Sequence, residues 1–274
     1  MKYLFLLFLI VPFGLKCQEQ STLKQEIDQH QEGVGLWWAG HNGWIIKSNN
    51  LVISTDILLD YDKRIKKPTI SEKELAQILD ISFVTHSHKD HFSRSLSKVL
   101  IDESDCIFVI PESCLEIAKE LKIPINRIKI AVPRKKFNIS GISVTPIRAI
   151  HGNADFAIYY KANFQDCGYL IDIDGKKFLQ PGDSFLLEDH LFLENIDVLF
   201  FSPTEHNMHI NNSLTLINKL NPKYILPQHH STVKVNSETF FWAKGYQKEV
   251  KEKLSKNLKK RYYILKEGDK LLII

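Results

Sequence analysis

FVTHSHKDHFS, running from Phe83 to Ser93, places three histidines and an aspartate within six positions, directly after an apolar, β-type run. Surface loops seldom need that density of imidazole. Alternate side chains of an extended segment share a face, so His86 and His88 point the same way, while Asp90 and His91, past the turn, can address an adjacent point. The spacing suits two metal ions rather than one. Neutral imidazole with carboxylate is the ligand set of borderline divalent cations such as zinc, and it also serves manganese and iron.

Other ligand-type side chains stand at the ends of other apolar runs. His151 follows VTPIRAI, Asp183 lies in QPGDS, and His229 follows YILPQ. With the opening stretch they make five histidines (His86, His88, His91, His151, His229) and two aspartates (Asp90, Asp183). Two four- or five-coordinate ions sharing one carboxylate would use all seven. Burying this set without a cation would leave unpaired polar groups, each costing about 1–3 kcal/mol.

The 274-residue chain is 44% hydrophobic and 25% charged, a globular composition that argues against disorder or a fibre. Residues 1–17, MKYLFLLFLIVPFGLKC, carry Lys2, an apolar run and then polar residues, the pattern of a secretory signal peptide. Cys17 invites lipidation, although Lys16 replaces the small residue expected before a lipidated cysteine; ordinary cleavage after Cys17 is the alternative. The expected location is therefore exported, periplasmic or extracellular, with membrane attachment only through a lipidated Cys17. The formal charge of +4 falls to +2 without Lys2 and Lys16, which is not a nucleic-acid-binding balance. The basic runs KRIKK, RKK and LKKR read as solvated faces, because no aromatics interleave them as single-strand binding requires. Cys106, Cys114 and Cys167 lack CxxC spacing, which excludes a thiolate zinc knuckle. They are expected as small buried hydrophobes, although an oxidising compartment would allow a Cys106–Cys114 disulfide.

Residues 18–32 are a polar, weakly helical lead-in. From residue 33 to 274, short β-rich runs and helical segments alternate in two similar rounds. SEKELAQILD, with a Ser71–Glu74 capping box, is a helix; DIDGKKFL carries a hairpin turn; YYILKEGDKLLII closes with two short strands. Two sheets packed on each other with helices outside fit this order, as one domain of α/β class. His30 and His190 have no partner context and are expected at the surface.

The series THSHKDH, AIHG, PGDS and PQH resembles the metallo-β-lactamase-fold superfamily, in order and spacing across nearly the whole chain after the signal. GHNGWIIKSNNLVISTD and SPTEHNMH further resemble its small-hydrolase branch, which includes ascorbate-6-phosphate lactonase. The resemblance implies a four-layer αββα sandwich with the site at one edge of the two sheets. It also implies one ion on His86, His88 and His151, a second on Asp90, His91 and His229, and Asp183 bridging. His230 competes with His229, and the Pro-x-His spacing favours His229. His206 is a pocket residue in that likeness, against a hydrogen-bonded surface histidine. His41 is placed near the pocket, against a turn residue, and Asp56 as a group orienting a ligand histidine.

The implied activity is metal-dependent hydrolysis of a lactone, ester, amide or phosphodiester, with Asp90 or Asp183 steering the proton of the attacking water. True β-lactamases of this fold usually carry Cys or Ser where Asp183 stands, and flavodiiron-type oxygen reductases place Glu where His88 stands; RNA-processing members bring extra domains. What remains is a hydrolase of lactonase or phosphodiesterase type acting on a small-molecule or lipid-derived substrate. A non-catalytic metal- or ligand-binding module on the same fold is the alternative. Trp37, Trp38, Phe240, Phe241 and Trp242 are candidate pocket aromatics, with core packing expected for most of them.

Overall fold

A computed structural model describes residues 22–152, 158–159 and 162–274. Residues 1–17, the segment expected to be a signal peptide, lie outside the described residues.

The chain begins with α1 (Leu23–Asp28), β1 (Val34–Gly40), β2 (Gly43–Ser48) and β3 (Leu51–Thr55), then α2 (Glu72–Ala76), β4 (Ile81–Phe83), α3 (Arg94–Glu103), β5 (Ile107–Pro111), α4 (Leu115–Glu120) and β6 (Ile128–Ala131). The second half holds β7 (Phe137–Ile139), β8 (Ile142–Arg148), β9 (Cys167–Ile173), β10 (Lys176–Gln180), α5 (Glu188–Leu191), β11 (Val198–Phe201), α6 (His209–Leu220), β12 (Tyr224–Pro227), α7 (Phe240–Ala243), α8 (Gln247–Lys253), α9 (Lys256–Lys259) and β13 (Lys270–Ile273). Among the described residues these strands form one sheet in the order β13-β1-β2-β3-β4-β5-β6 and another in the order β12-β11-β10-β9-β8-β7.

Period-two alternation explains the layers. On β1, Trp37 faces the helices outside the first sheet, where it joins Leu75, Leu96 and Leu100, whereas Leu36 and Trp38 turn inward. The inner layer is shared by both sheets: Trp44, Ile53 and Phe83 from the first meet Val144, Tyr169, Phe178 and Phe200 from the second. On the far side, Leu179, Leu199 and Phe201 pack against Leu216, Ile217 and Val250 of α6 and α8. The expected four-layer αββα order is therefore present.

Several expectations change in detail. The lead-in supplies α1, capped reciprocally by Thr22 and Gln25, and its Ile27 is fully buried in the first outer core. His30 is buried edge-on to Trp37, with ring centroids 5.3 Å apart. His190 is also buried, and its Nδ1 accepts the Leu187 N–H at 3.1 Å. Both were expected at the surface; a lone histidine in sequence does not show which aromatic or backbone group will cover it. Of the two closing strands only β13 forms, while Tyr262 makes an isolated bridge to Ile225. The three later cysteines are free and buried, so no disulfide joins Cys106 to Cys114.

Burial holds His190 neutral, its pKa down to about 4. In the unfolded chain the same ring protonates near 6.5, so between these values the unfolded state carries the extra proton. Stability therefore falls as pH drops from about 6.5 to about 4. Replacing His190 with Asn should flatten this fall by one proton in that window, read from urea midpoints against pH. In the inner layer, Phe200→Ala removes a fully buried ring stacked on Trp44 at 4.5 Å. It should cost about 3–5 kcal/mol in urea unfolding at unchanged m-value.

Candidate metal centre

Within the first sheet β3, β4 and β5 run parallel, and within the second β10, β11 and β12 run parallel. Their carboxyl ends open toward one edge, the usual place for a site in such sheets. The residues just beyond those ends form the cluster: Asp56 after β3, His86 after β4, His151 after β8, Asp183 after β10, His206 after β11 and His229 after β12. The β1–β2 turn adds His41 and Asn42.

Two sets emerge. His86, His88 and His151 offer donor atoms within 4.8 Å of one another, and so do His41, Asp90, His91 and His229. Asp183 joins both, since it groups with His86 and His91 on one side and with His206 and His229 on the other. All seven sequence-derived ligand candidates are thus brought together. Of the two adjacent histidines, His229 points into the cluster, its Nε2 lying 3.3 Å from Asp183 Oδ2. His230 turns away, its Nε2 3.2 Å from the Pro227 carbonyl and its ring 4.7 Å from that of Trp38.

Partners fix the ring orientations. Asp56 accepts the Thr85 N–H at 2.8 Å and the Thr85 hydroxyl at 2.7 Å, and its Oδ2 lies 2.9 Å from His91 Nδ1. That leaves His91 Nε2 directed at Asp183 Oδ2, 3.4 Å away. Thr85 Oγ1 lies 3.0 Å from His86 Nδ1, which frees His86 Nε2. His206 Nε2 lies 2.7 Å from Asp183 Oδ2, while Asn42 Nδ2 donates to Asp183 Oδ1 at 3.1 Å. His41 Nε2 sits 3.1 Å from Asp90 Oδ2. His41 is almost fully buried and behind Asp90, so it does not line the pocket where it was expected. His206, with surface and pocket readings both open in sequence, does line it.

Three residues of the site carry left-handed backbone. His41, Asp56 and His229 all adopt left-handed φ, at 51°, 43° and 59°, a conformation that costs a non-glycine residue free energy unless the surroundings enforce it. Gly182, at φ 67°, sets up Asp183, and a Cβ there would come within 2.9 Å of Thr85 Cβ.

Electrostatics follow from burial and crowding. Burial drives His86 well below its ordinary pKa, with the His91 and His151 rings adding to the fall. His151 and His229 drop to about 3, again chiefly through burial. Burial alone would lower His91 too, but Asp183, Asp56 and Asp90 surround it and hold it well above its usual value. Burial would raise Asp90 and Asp183, yet the neighbouring imidazoles outweigh it and keep both ionised: His91 and His41 at Asp90, His229 and His91 at Asp183.

This donor set fits divalent cations. The Nε2 atoms of His86 and His151 are buried and have no hydrogen-bond partner among the described residues. Unpaired imidazole nitrogens beside three carboxylates are an expensive arrangement for a protein alone, and a cation relieves it. A cavity of about 330 Å³ reaches the cluster, floored by His88, Asp90, His151, Asp183 and His206. Sequence reading missed Asn42 and Thr85; neither residue type is a usual ligand of borderline ions such as zinc, and only their positions beside Asp183, His86 and His91 reveal their part.

A beta-lactamase superfamily domain matches residues 35–229. The chain belongs to that superfamily. A protein of Natranaerobius thermophilus, described as a UPF0173 metal-dependent hydrolase, is 26% identical over 225 residues, 77% of this chain and 91% of that protein. Among solved structures, Igni18, a metallo hydrolase from Ignicoccus hospitalis, superposes at TM-score 0.67 with 19% identity, covering 87% of this chain and 97% of that one. An isothiocyanate hydrolase from Delia radicum gut bacteria superposes at 0.68 with 12% identity, covering 86% and 98%. These two likenesses concern the fold.

Asp56 is almost fully buried and holds Thr85 and His91, so Asp56→Asn tests the support of the candidate ligands rather than their donor atoms. It should weaken metal affinity about 10–100-fold, as loss of such a partner typically does, measured by competition with a chromogenic chelator.

Proposed function

We propose that this metal-dependent hydrolase of the beta-lactamase superfamily holds two divalent cations side by side and cleaves a lactone, ester, amide or phosphodiester bond in a small-molecule or lipid-derived substrate. The observation that carries the reading is the position of Asp183, within ligand distance of members of both histidine sets, above imidazole nitrogens that lack partners. His86, His88 and His151 would hold one ion, Asp90, His91 and His229 the other, with Asp183 shared. Five imidazoles favour zinc; manganese and iron suit the same donors. Such a pair supplies Lewis acidity and lowers the pKa of bound water toward about 7.

The chain's own groups account for the rest. Asn42 and His206 hold the two oxygens of Asp183, which fixes the carboxylate plane. His41 holds Asp90, whose side chain remains 19% exposed at the cavity floor. Asp90 and Asp183 are placed to accept the proton of an attacking water. Tyr159 lines the same cavity, and its hydroxyl is buried without a partner among the described residues. It is a ready donor to the oxygen that gains charge as the bond breaks. A module that only stored metal would not need an open approach to His88 and Asp183; the cavity therefore counts against pure metal storage, and turnover separates catalysis from ligand binding.

Elemental analysis of the purified protein should find about two divalent ions per chain. Asp183→Asn and His88→Ala should each lower kcat/KM by at least about a hundredfold together with metal content, assayed on p-nitrophenyl phosphodiesters and lactones. Full turnover in either variant would overturn the assignment. Removing metal with a chelator should abolish activity, and adding zinc should restore it.

A further inference from the structure

The cavity floor is ionic, but its wall is not. Tyr61 comes from the connection after β3, Tyr159 from the segment after β8, and Phe241 and Trp242 from α7. Three separate stretches of chain thus deliver aromatic rings to one opening. Phe241 is 39% exposed, so its ring is accessible from the cavity. It is not loose: it meets Tyr159 edge-on at 5.7 Å and His206 at 5.9 Å between ring centroids. Trp242 is edge-on to His41 at 6.1 Å and to His229 at 6.3 Å. The wall is therefore tied ring by ring to the candidate ligands.

Among the described residues, no Lys or Arg lines this cavity. The nearby Lys244 amino group lies over Phe240 and Tyr246 instead, 4.9 and 4.8 Å from their ring centroids. An anionic group on the part of the substrate away from the cleaved bond would find no cation among the described wall residues, only π faces and tyrosine hydroxyls. A flat uncharged ring would find edge-to-face and stacking partners.

We propose that the non-reacting portion of the substrate is an uncharged aromatic or similarly flat unsaturated ring, held by Phe241 and Trp242 with Tyr61 and Tyr159 around it. This rests on the hydrolytic reading above and narrows it to substrates with a neutral ring, rather than phosphorylated or carboxylated ones.

The test uses the metal-loaded full chain and two readouts. Isothermal titration calorimetry compares ring probes of similar size: neutral 4-nitroanisole, anionic 4-nitrobenzenesulfonate and cationic 4-nitrobenzyltrimethylammonium. The neutral ring should bind at least about tenfold more tightly than the anionic probe, the lower end of what an apolar pocket discriminates, while the cationic probe reads the cation–π capacity of the same rings. Phe241→Ala, an exposed position whose loss should leave the fold intact, should cut that preference several-fold. In parallel, kcat/KM for phenyl acetate, 4-sulfophenyl acetate and ethyl acetate is normalised to each ester's alkaline hydrolysis rate, and the neutral aryl ester should lead. Equal or tighter binding of the anionic probe, or a preference unchanged in Phe241→Ala, would overturn the inference. Ring binding intact with no ester, lactone or phosphodiester cleaved would sustain the aromatic site and count against the hydrolytic reading.

Discussion

The carboxylate of Asp183 stands where the two sheets must agree. His206 and His229, both beyond strands of its own sheet, approach one oxygen; Asn42, from the facing sheet, donates to the other. His86 and His91, from a third connection, close the ring of donors. No single segment could assemble this arrangement. It depends on the edges of two sheets lying in register across a packed layer, which is why the aromatic inner core of Trp44, Phe83, Tyr169 and Phe200 matters to chemistry as well as to stability.

That register has a polar lock as well as an apolar one. Gln180 and Gln228, both fully buried, exchange amide hydrogen bonds at 2.6 and 3.0 Å. Gln228 also accepts the Trp44 indole N–H at 2.8 Å, and Gln180 donates to Thr55 at 3.2 Å. Each glutamine precedes a site residue by one or three positions. Buried amides that satisfy one another specify a single arrangement far better than apolar contact does. Here they hold the β1–β2 turn and β3 against β10 and β12 directly beneath the donors.

Much of this was legible in the sequence because coordination chemistry limits residue type. His86, His88, Asp90, His91, His151, Asp183 and His229 stood out as histidines and aspartates after apolar runs, and the structure gathers them at one edge. The layered fold was legible through alternation, as in Leu36 and Trp38 against Trp37. What stayed hidden depends on long-range contact. Asn42 and Thr85 are ordinary turn and loop residues until they meet Asp183 and His86. His30 and His190 looked solvent-facing because nothing local announces Trp37 or the Leu187 backbone as cover. Among the candidate aromatics, Trp37 and Trp38 are core while Phe241 and Trp242 face the cavity, a difference set by backbone path and invisible in composition.

The division of donors between the halves bears on the order of biosynthesis. His41, His86, His88, Asp90 and His91 leave the ribosome first; His151, Asp183, His206 and His229 emerge later. A nascent chain that has reached only β6 presents the first five of these side chains without Asp183 beside them. The candidate donor set is therefore complete only after β12 and the His229 turn have been laid down, so the centre cannot assemble until late in synthesis.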